Sequence, residues 1–405
     1  MILYNLAIRL YAFAIRLASI WNKKASDWLA MRSEFDYDSI LEFKNALWFH
    51  CASVGEFEQA RPVIDALKET HPERKVVLSF YSPSGYYLRK DYKNVDLVFP
   101  LPLDTRSKMK ALFERLNPSM LVLVKYEIWL NLLGEAKERD IPTLLISAYF
   151  KIDQIFFKFY GGLFRRALRS ITAVLVQDEQ SKSLLDSIGV EQVKVSGDTR
   201  FDRVNQISQM QDSVPNVGLT IRPLIVAGST WSKDEKMLLS IFGELKDTYQ
   251  LLIVPHEITE VDVEALSLEY DLKVELFSSD GLFTANTDVL IYDKVGDLSR
   301  LYRLGSVAYV GGGFGAGIHN VLEPAAFGIP VLFGPNHARF LEASELLNQG
   351  GGEEVKSAND LLKTLRKMED EDLRESRGEK AKIFINENAG AKELVLQMIG
   401  EKLKN

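Results

Sequence analysis

The chain has 405 residues, 46% of them hydrophobic and 26% charged, which is the composition of a globular protein too long for one ordinary core. We therefore expect two domains. The net charge of −7 gives no support to nucleic-acid binding, which favours a basic face. Cys51 is the only cysteine, so an internal disulfide and a cysteine-based metal cluster are excluded, as is usual in a reducing compartment.

The first 26 residues contain no acidic side chain. Arg9, Arg16 and Lys23 are spaced by seven residues, which places them on one side of a helix, and leucines and aromatic residues cover much of the rest. Two arginines inside the stretch argue against a simple membrane span, for which about 20 apolar residues are needed. We predict a helix that lies in the headgroup region of an anionic membrane leaflet; the alternative is an amphipathic helix packed on its own domain.

From residue 40 onward, short apolar stretches alternate with helical ones, which is typical of parallel sheets covered on both faces. The predicted strands of the first half are Ala46–Ala52, Lys75–Phe80, Leu97–Phe99, Met120–Val124, Thr143–Ser147, Ala173–Gln177 and Val193–Ser196. Those of the second half are Leu224–Ala227, Gln250–Val254, Leu272–Phe277, Val289–Tyr292, Val307–Val310 and Val331–Phe333. The polar stretch Asn205–Gly218 has no apolar periodicity and is predicted to be the interdomain linker.

This alternation predicts four segments. Residues 1–30 form an N-terminal membrane-anchoring helix, 31–208 a first Rossmann-like domain, 215–385 a second one, and 386–405 a C-terminal helix that packs back on the first domain. In doubly wound sheets, ligands bind outside the carboxyl ends of the strands. We therefore expect a cleft between the carboxyl ends of both sheets, with the chemistry in the loops that follow the strands.

The first strand runs into Ser53-Val54-Gly55-Glu56, so Glu56 lies in the first turn of a helix at the carboxyl edge of the sheet. The helix dipole favours the ionised carboxylate, which can accept a proton from an attacking hydroxyl. Ser53 and Glu56 also match a capping box, in which the glutamate only closes the start of the helix. The sequence alone leaves both interpretations open.

Two further loops follow strands of the first half. Ser82-Pro83-Ser84-Gly85 offers groups that bind an anion or a hydroxyl, and it is equally well explained as a plain turn. Lys125-Tyr126-Glu127-Ile128-Trp129 follows the fourth predicted strand and places Glu127 at the same edge as Glu56. A buried glutamate there is more often a structural hydrogen-bonding group than a catalyst.

The segment Lys151–Ser170 carries five cationic side chains against one acidic residue, with aromatic residues between them. Such a mixture is either a helix with a basic rim or a surface for acyl chains and lipid phosphates. We favour the lipid surface, because the N-terminal segment has the same character.

Two loops are candidates for contacts with an anionic ligand. Arg200 lies near the predicted crossing between the domains, and its guanidinium suits an acidic substrate. Gly228-Ser229-Thr230 follows the first strand of the second half and offers hydroxyl and N–H groups to a phosphate. Taken singly, each is equally well explained as a surface loop.

The strand Val307–Val310 is followed by the glycine-rich turn Gly311–Gly317, and a helix is predicted to start near His319. Glycines let N–H groups come close to a ligand, and a helix N-terminus adds a partial positive charge, so the turn suits a phosphate. Asn320 and Glu323 are three residues apart on one helix face, where they are able to hold the hydroxyls of a ribose. The alternative is a tight turn with ordinary capping. The polar pair leads us to interpret this region as a nucleotide site.

The five histidines, at positions 50, 71, 256, 319 and 337, show no paired metal-binding spacing. The sequence also has no GxxxxGK[ST] motif and no GxSxG motif. We therefore expect neither a metal site nor a cofactor.

Together these motifs resemble the bacterial 3-deoxy-D-manno-octulosonic acid (Kdo) transferases of lipopolysaccharide biosynthesis, which are glycosyltransferases of the GT-B architecture. The resemblance extends over nearly the whole chain, in the same order as in that family. The matching segments after the N-terminal anchor are His50–Glu56, Leu101–Asp104, Tyr126–Trp129 with Asn131, Gly197–Asp202, Ala227–Thr230, His319–Pro324 and Gly334-Pro335.

The resemblance implies an α/β fold of the GT-B type, with two Rossmann-like doubly wound parallel-sheet domains facing across a cleft and an N-terminal membrane-associated helix. It implies transfer of Kdo from CMP-Kdo to a lipid A precursor (lipid IVA), with inversion at the anomeric carbon and without a metal or cofactor. The implied partners are the donor, the lipid acceptor and anionic lipids of the inner membrane at its cytoplasmic face, and no nucleic acid.

The resemblance also implies roles for single residues, with Glu56 as the general base. The donor-binding positions are Arg200, Ser229, Thr230, Pro255, His256, Val295, Gly311, Gly312, Gly313, His319, Asn320 and Glu323. The positions that contact or support the acceptor are Ser53, Gly55, Ser84, Gly85, Glu127 and Trp129.

The chain departs from the family pattern at three places. Val254-Pro255-His256-Glu257 stands where the family usually has an arginine and a histidine after the proline, Ile318 replaces a glycine before His319, and Lys294–Asp297 varies a loop that usually contains methionine and glutamate. The alternatives are another GT-B enzyme, either a UDP-hexosamine transferase or a UDP-GlcNAc 2-epimerase, and a membrane-bound sugar-nucleotide binder without catalysis.

Overall fold

The computed structural model describes residues 1–210, 213–218, 220–258 and 261–403. The chain forms two compact units. One consists of Met1–Arg203 together with Ala389–Asn405, and the other of Val204–Asn388.

The first unit contains seven strands and most of the helices of the N-terminal half. The strands are β1 Leu47–Cys51, β2 Val76–Phe80, β3 Leu97–Pro100, β4 Met120–Val124, β5 Thr143–Ala148, β6 Ala173–Val176 and β7 Val193–Val195. The helices are α1 Ile2–Ala18, α2 Lys23–Glu34, α3 Val54–Thr70, α4 Pro83–Arg89, α5 Arg106–Leu116, α6 Leu130–Glu138, α7 Gly162–Leu168 and α8 Glu179–Ser187, followed by α9 Thr199–Gln209 at the boundary between the units.

The strands of this unit form one parallel sheet in the order β3-β2-β1-β4-β5-β6-β7. Successive side chains of a strand point to opposite faces, and in β4 both faces are apolar. Leu121 and Leu123 enter one hydrophobic cluster, whereas Val122 and Val124 enter the other. The sheet is therefore covered on both sides, and its carboxyl edge carries the loops with polar residues.

The second unit repeats this architecture with its own sheet, in the order β10-β11-β9-β8-β12-β13-β14. Its strands are β8 Leu224–Thr230, β9 Gln250–Pro255, β10 Val274–Leu276, β11 Val289–Ile291, β12 Val307–Val310, β13 Val331–Phe333 and β14 Gly352–Glu354. Its helices are α10 Ser232–Phe242, α11 Val263–Tyr270, α12 Leu298–Leu301, α13 Leu322–Ala326, α14 Leu341–Gln349, α15 Ala358–Lys367 and α16 Glu371–Asn388. All pairings between its strands are parallel.

The last helix, α17 Ala391–Leu403, belongs to the first unit. Val395, Met398 and Ile399 are buried in the cluster that covers one face of the first sheet. The N-terminus of α17 is fixed by Asp202, whose carboxylate accepts the N–H groups of Gly390 at 2.7 Å and Lys392 at 3.0 Å. A carboxylate at a helix N-terminus satisfies donors that have no partner within the helix.

Helix α1 lies on the first unit but buries none of its residues. One face is half-buried, and its Tyr4 hydroxyl donates to Asp104 at 2.6 Å. The other face is apolar and open to solvent, with Leu3 80% and Phe13 60% exposed. None of the described helices alone is long and apolar enough to cross a membrane; α1 and α2 meet the length and composition criteria only as a pair, bent by 116°.

Every predicted strand is present in the structure, with Met120–Val124, Val307–Val310 and Val331–Phe333 at their predicted bounds. Strand β14 was not predicted, because only three residues form it and two of them are glutamates. These residues pair with β13 through their backbone.

Two boundary predictions are wrong. The predicted linker begins at Asn205, but α9 continues through Gln209 because Phe201 and Val204 give it a buried face. Gln211 and Asp212 of that linker lie outside the described residues. The helix predicted to start near His319 begins at Leu322 and has five residues, since His319 N–H bonds back to the carbonyl of Gly311.

Arg32 on α2 attaches the N-terminal helices to the first sheet. Its guanidinium donates to the carbonyls of Leu101 at 2.8 Å, Trp28 at 3.0 Å and Tyr81 at 2.8 Å, and it lies 3.6 Å from the centre of the Trp28 ring. Removing the donors leaves partly buried carbonyls without partners, so we expect Arg32→Met to lower the free energy of unfolding by about 2–4 kcal/mol. Urea unfolding in mild detergent measures the change.

The matched control is Arg16→Met, because the Arg16 side chain is exposed on α1. Its substitution is expected to change the unfolding free energy by less than about 0.5 kcal/mol. Equal effects of the two substitutions would contradict the proposed role of Arg32.

Candidate functional site

Glu56 lies in the first turn of α3, directly after strand β1, as predicted. Its Oε2 atom accepts the backbone N–H of Ser53 at 2.6 Å and the Ser53 hydroxyl. The capping contact is therefore present, and only 8% of Glu56 is exposed. Gly55 is not sterically required, because an added Cβ would lie 3.7 Å from the nearest side chain. Capping fixes the position of the carboxylate but leaves it an acceptor, since a carboxylate offers about four lone-pair sites.

Glu127 follows β4, the neighbour of β1, and is 9% exposed. The indole of Trp129 donates to Glu127 Oε2 at 2.8 Å, so this glutamate makes a hydrogen bond within the protein. Burial raises the pKa of the Tyr126 phenol, and the negative charges of Glu56 and Glu127 raise it further. The charges of both carboxylates thus act on the same phenol. The result is a pair of acidic groups at the carboxyl edge of the first sheet.

His50 lies beside Glu127 on the neighbouring strand, a position that sequence reasoning missed. The ring is fully buried on β1, its Nδ1 atom lies 2.8 Å from Ser79 Oγ, and its Nε2 atom lies 3.8 Å from Glu127 Oε2. The Nε2 atom has no hydrogen-bond partner among the described residues. The position of His50 in the middle of an apolar strand was the available signal, because a buried imidazole needs polar neighbours.

Ser84 and Gly85 form the first turn of α4 after β2. Ser82 caps this helix by accepting the Gly85 N–H at 3.2 Å, and the hydroxyls of Ser82 and Ser84 are 3.1 Å apart. Gly85 is required by packing, since a Cβ would approach the Phe80 ring to 2.5 Å. The geometry is that of a capped turn at the same edge as Glu56, with the Ser84 side chain exposed.

Arg200 lies at the start of α9 and is paired with a carboxylate that sequence reasoning did not single out. Its Nε and Nη2 atoms donate to Asp198 Oδ2 at 2.9 Å and 2.8 Å. Gln59, one turn after Glu56 on α3, donates to the same oxygen at 3.0 Å. Burial opposes ionisation of Asp198, but the Arg200 charge and the hydrogen bonds hold the pKa of this carboxyl below its usual value. Arg200 is thus oriented against the helix that carries Glu56.

In the segment 151–170, one of the five cationic side chains is hydrogen-bonded to the backbone of the segment itself. Arg165 donates to the carbonyls of Phe156 at 3.0 Å and Lys158 at 2.7 Å, so it stabilises the loop. Phe159 is 92% exposed and Tyr160 64% exposed. The segment therefore exposes apolar surface that a lipid could contact, whereas the Arg165 guanidinium is already bonded within the protein.

In the second unit, the end of β8 packs closely against the glycine-rich turn. Ser229 has a left-handed backbone with φ of 52°, and the Thr230 hydroxyl donates to Glu235 at 2.9 Å. A Cβ on Gly311 would lie 2.3 Å from the Ser229 carbonyl oxygen, and one on Gly313 would lie 2.5 Å from Gly334. These glycines are required for the close approach of neighbouring strand ends.

Two N–H groups that the sequence assigned to a phosphate have partners within the protein. Gly311 N–H bonds to the Gly228 carbonyl at 3.0 Å, and Gly312 N–H bonds to Asp234 Oδ2 at 2.9 Å. Asp234 is buried, and its other oxygen accepts the Tyr309 hydroxyl at 2.7 Å. The turn is therefore held from inside by a carboxylate near the start of α10.

Three aromatic rings form a stack beside this turn. The centres of the Trp231 and His256 rings are 4.7 Å apart, and those of His256 and His319 are 4.3 Å apart. The Trp231 indole donates to His319 Nε2 at 3.0 Å, which requires this nitrogen to be unprotonated. Burial and the neighbouring His256 lower the pKa of His319, in agreement with a neutral ring. Pro255 ends β9 directly before His256.

Asn320 and Glu323 contact each other as the sequence suggested, although not on a long helix. Asn320 Nδ2 donates to Glu323 Oε1 at 3.0 Å, and Asn320 Oδ1 accepts the Leu322 N–H at 3.0 Å. Both lie where α13 begins, after the glycine-rich turn. Val295 is in the loop after β11 and is 88% exposed.

Among the residues that the structure describes, no group of three histidine, cysteine, aspartate or glutamate side chains has a geometry that could hold a metal ion. What the geometry offers is a carboxylate fixed by Ser53 in the first unit and a polar, aromatic strand edge in the second. The first suits proton abstraction from a hydroxyl, and the second suits a nucleotide.

Residues 25–203 match the family model of the 3-deoxy-D-manno-octulosonic-acid transferase (kdotransferase). The chain is 30% identical over 342 residues to the 3-deoxy-D-manno-octulosonic acid transferase of Aquifex aeolicus, which covers 82% of this chain and 89% of that protein. It is 25% identical over 402 residues to the enzyme of the same name from Haemophilus influenzae, covering 95% and 93% of the two chains.

Solved structures show the same fold at low sequence identity. The UDP-GlcNAc 2-epimerase from Neisseria meningitidis bound to UDP-GlcNAc superposes with a TM-score of 0.59 at 16% identity, covering 89% of this chain and all of that one. Acinetobacter baumannii MurG gives 0.54 at 14% identity, covering 88% and 99%. These matches and the two parallel seven-stranded sheets confirm the predicted GT-B-like α/β fold. The fold alone does not name a family, but the Aquifex aeolicus relative is similar enough in sequence to do so. This chain belongs to the family of 3-deoxy-D-manno-octulosonic acid transferases, which are glycosyltransferases.

Proposed function

We propose that the protein transfers Kdo from CMP-Kdo to a lipid A precursor, lipid IVA, with inversion at the anomeric carbon and with Glu56 as the general base. The observation that carries the proposal is the placement of Glu56 at the carboxyl edge of the first sheet, where the Ser53 backbone N–H and hydroxyl hold its carboxylate. A base must lie at a defined position to remove a proton as the new bond forms.

The proposed chemistry is a direct displacement. Glu56 takes the proton of an acceptor hydroxyl, the oxygen forms a bond to the anomeric carbon of Kdo, and the bond from that carbon to the CMP phosphate breaks. The electron pair leaves with CMP, whose phosphate gains negative charge. Arg200 is the cation that we assign to this charge, and its pairing with Asp198 supports the proposal by fixing its guanidinium.

The second unit is proposed to hold the donor. The pair Asn320 and Glu323 is assigned to the ribose hydroxyls, because an amide and a carboxylate at 3.0 Å offer both donors and acceptors. The rings of Trp231, His256 and His319 are assigned to the phosphate side of the nucleotide. Ser229 and Thr230 are neighbours of this stack, since His256 N–H bonds to the Thr230 carbonyl at 2.9 Å.

We also propose that the protein acts at the cytoplasmic face of the inner membrane, with α1 lying on the bilayer. The exposed face of α1 supports this, since soluble proteins rarely leave so continuous an apolar surface uncovered. Trp21, after the end of α1, is 74% exposed, and an indole of this kind is favoured at the headgroup level. Phe159 and Tyr160 are further exposed aromatic side chains of the first unit.

Replacing Glu56 by Gln is expected to lower turnover about 100-fold or more, because an amide does not accept the hydroxyl proton. The amide oxygen still accepts the Ser53 N–H, so the unfolding free energy should change by less than about 1 kcal/mol. Turnover is measured by mass analysis of the lipid product after incubation with CMP-Kdo. The control is Glu58→Gln on the same helix, which should retain activity within about threefold. Full activity of Glu56→Gln would refute the base assignment.

Replacing Glu323 by Gln is expected to weaken CMP binding about tenfold or more, since hydrogen bonds to a charged group contribute about 1.5–3 kcal/mol. Isothermal titration calorimetry with CMP measures this change. Glu264→Gln on the exposed surface of α11 is the control and should bind like the unchanged protein. UMP is tested beside CMP, and tighter binding of UMP would favour a UDP-sugar enzyme.

Excess EDTA is expected to change the rate of Kdo transfer by less than about twofold, because the proposal gives leaving-group stabilisation to protein cations. The assay uses donor and acceptor freed of divalent ions. Loss of activity that Mg²⁺ restores would contradict metal-independent transfer.

A further inference from the structure

Two adjoining cavities open between α1 and the helices α5 and α6 of the first unit. Their volumes are about 620 Å³ and about 430 Å³, and Asn5 and Arg106 contribute to the walls of both. No residue that lines either cavity is assigned to the proposed reaction. The walls therefore offer a site that the proposed reaction does not use.

The larger cavity is rich in cations. Arg9, Arg106, Lys110 and Arg139 line it, against the carboxylates of Glu135 and Glu138. Arg139 pairs with Glu135 at 3.4 Å and Arg106 approaches Glu138 at 4.0 Å, so both acids of the cavity wall are compensated, and Lys110 approaches Glu114, which does not line the cavity, at 4.0 Å. In the described part of the chain, no carboxylate lies within 4.0 Å of the Arg9 guanidinium. The cavity thus carries excess positive charge, which suits a phosphate.

The smaller cavity combines cations with apolar side chains. Met1, Ile2 and Leu163 contribute apolar surface, while Lys137 and Arg166 stand at its wall with Arg106. Ile2 is 86% exposed, so the apolar part continues onto the open face of α1. A molecule with a phosphate and an acyl chain would fit here, with the phosphate in the cationic larger cavity and the acyl chain along the apolar residues of the smaller one.

The cavity walls are fixed by hydrogen bonds from buried groups. Asp104 accepts the Tyr4 hydroxyl at 2.6 Å from α1 and the N–H groups of Asn131 at 3.0 Å and Leu132 at 2.9 Å from α6. Asn131 also donates to the Asn5 side chain at 2.9 Å. One buried carboxylate therefore holds α1 against the start of α6, and the distance between the walls is set by the fold.

We propose that these two cavities bind the headgroup of an anionic membrane phospholipid, with the phosphate among Arg9, Arg106 and Lys110 and the acyl chains along Ile2 and Leu163. This inference rests on the proposed placement of α1 on the membrane. The occupant is a phospholipid and not the sugar acceptor, because neither cavity is lined by Glu56, Glu127 or another residue assigned to the acceptor. The bound lipid would orient the first unit on the bilayer.

The test is native mass spectrometry of the full chain released from nanodiscs that contain equal amounts of phosphatidylcholine and phosphatidylglycerol. Lipids that are only attracted by diffuse charge are stripped, whereas a lipid in a fixed site is retained. We expect the unchanged protein to retain phosphatidylglycerol, and the double variant Arg9→Gln/Lys110→Gln to lose this adduct about tenfold or more. The control Arg16→Gln/Lys24→Gln removes the same charge from exposed positions outside the cavities and should retain the adduct.

Three results would overturn the inference: equal retention of both lipids by the unchanged protein, an undiminished adduct in the cavity variant, or displacement of phosphatidylglycerol by a lipid A precursor. Circular dichroism melting checks that the variants fold, and the comparison of the two lipids on the unchanged protein needs no variant. If the chain does not enter nanodiscs at all, the proposed membrane placement fails as well. Loss of Kdo transfer with an intact lipid adduct would contradict only the proposed reaction.

Discussion

Parallel pairing of every strand is the constraint on which the candidate site depends. Because all strands of a sheet end at the same edge, the loops after β1, β4 and β7 meet there regardless of their separation in sequence. Gln59 and Asp198 are 139 residues apart and share a hydrogen bond at this edge. Glu56 is placed by the same constraint, and its cap adds the precise orientation. Neither the strand order nor the cap alone would position a base.

The strands were predictable because each is a short apolar run with both faces buried, which few other structures produce. Prediction failed where the chain bonds to itself locally. The glycine-rich turn folds back at His319 and delays the next helix to Leu322, and this depends on backbone hydrogen bonds that leave no mark in hydrophobic periodicity. Strand β14 was missed for a related reason, since it is held by pairing with β13 and not by its own apolar residues.

Single residues of the candidate site were predictable only where they belong to a recognisable sequence motif. The sequence singled out Glu56, Glu127 and Arg200, and their predicted roles in the reaction stay predictions. Asp198, which orients Arg200, and His50, which lies 3.8 Å from Glu127, were missed because these contacts are a property of the assembled sheet. The capping and catalytic interpretations of Glu56 turn out not to be alternatives, because the cap contacts use Oε2 and a carboxylate has further acceptor sites.

The return of α17 to the first unit affects how the protein is made. Val395, Met398 and Ile399 complete a face of the first sheet, yet the ribosome produces them after the whole second unit. Until then the nascent first unit exposes an uncovered hydrophobic patch beside α3. During translation the second unit can therefore fold before the first unit is complete. The hydrophobic patch that α17 later covers is where a chaperone would bind in the meantime.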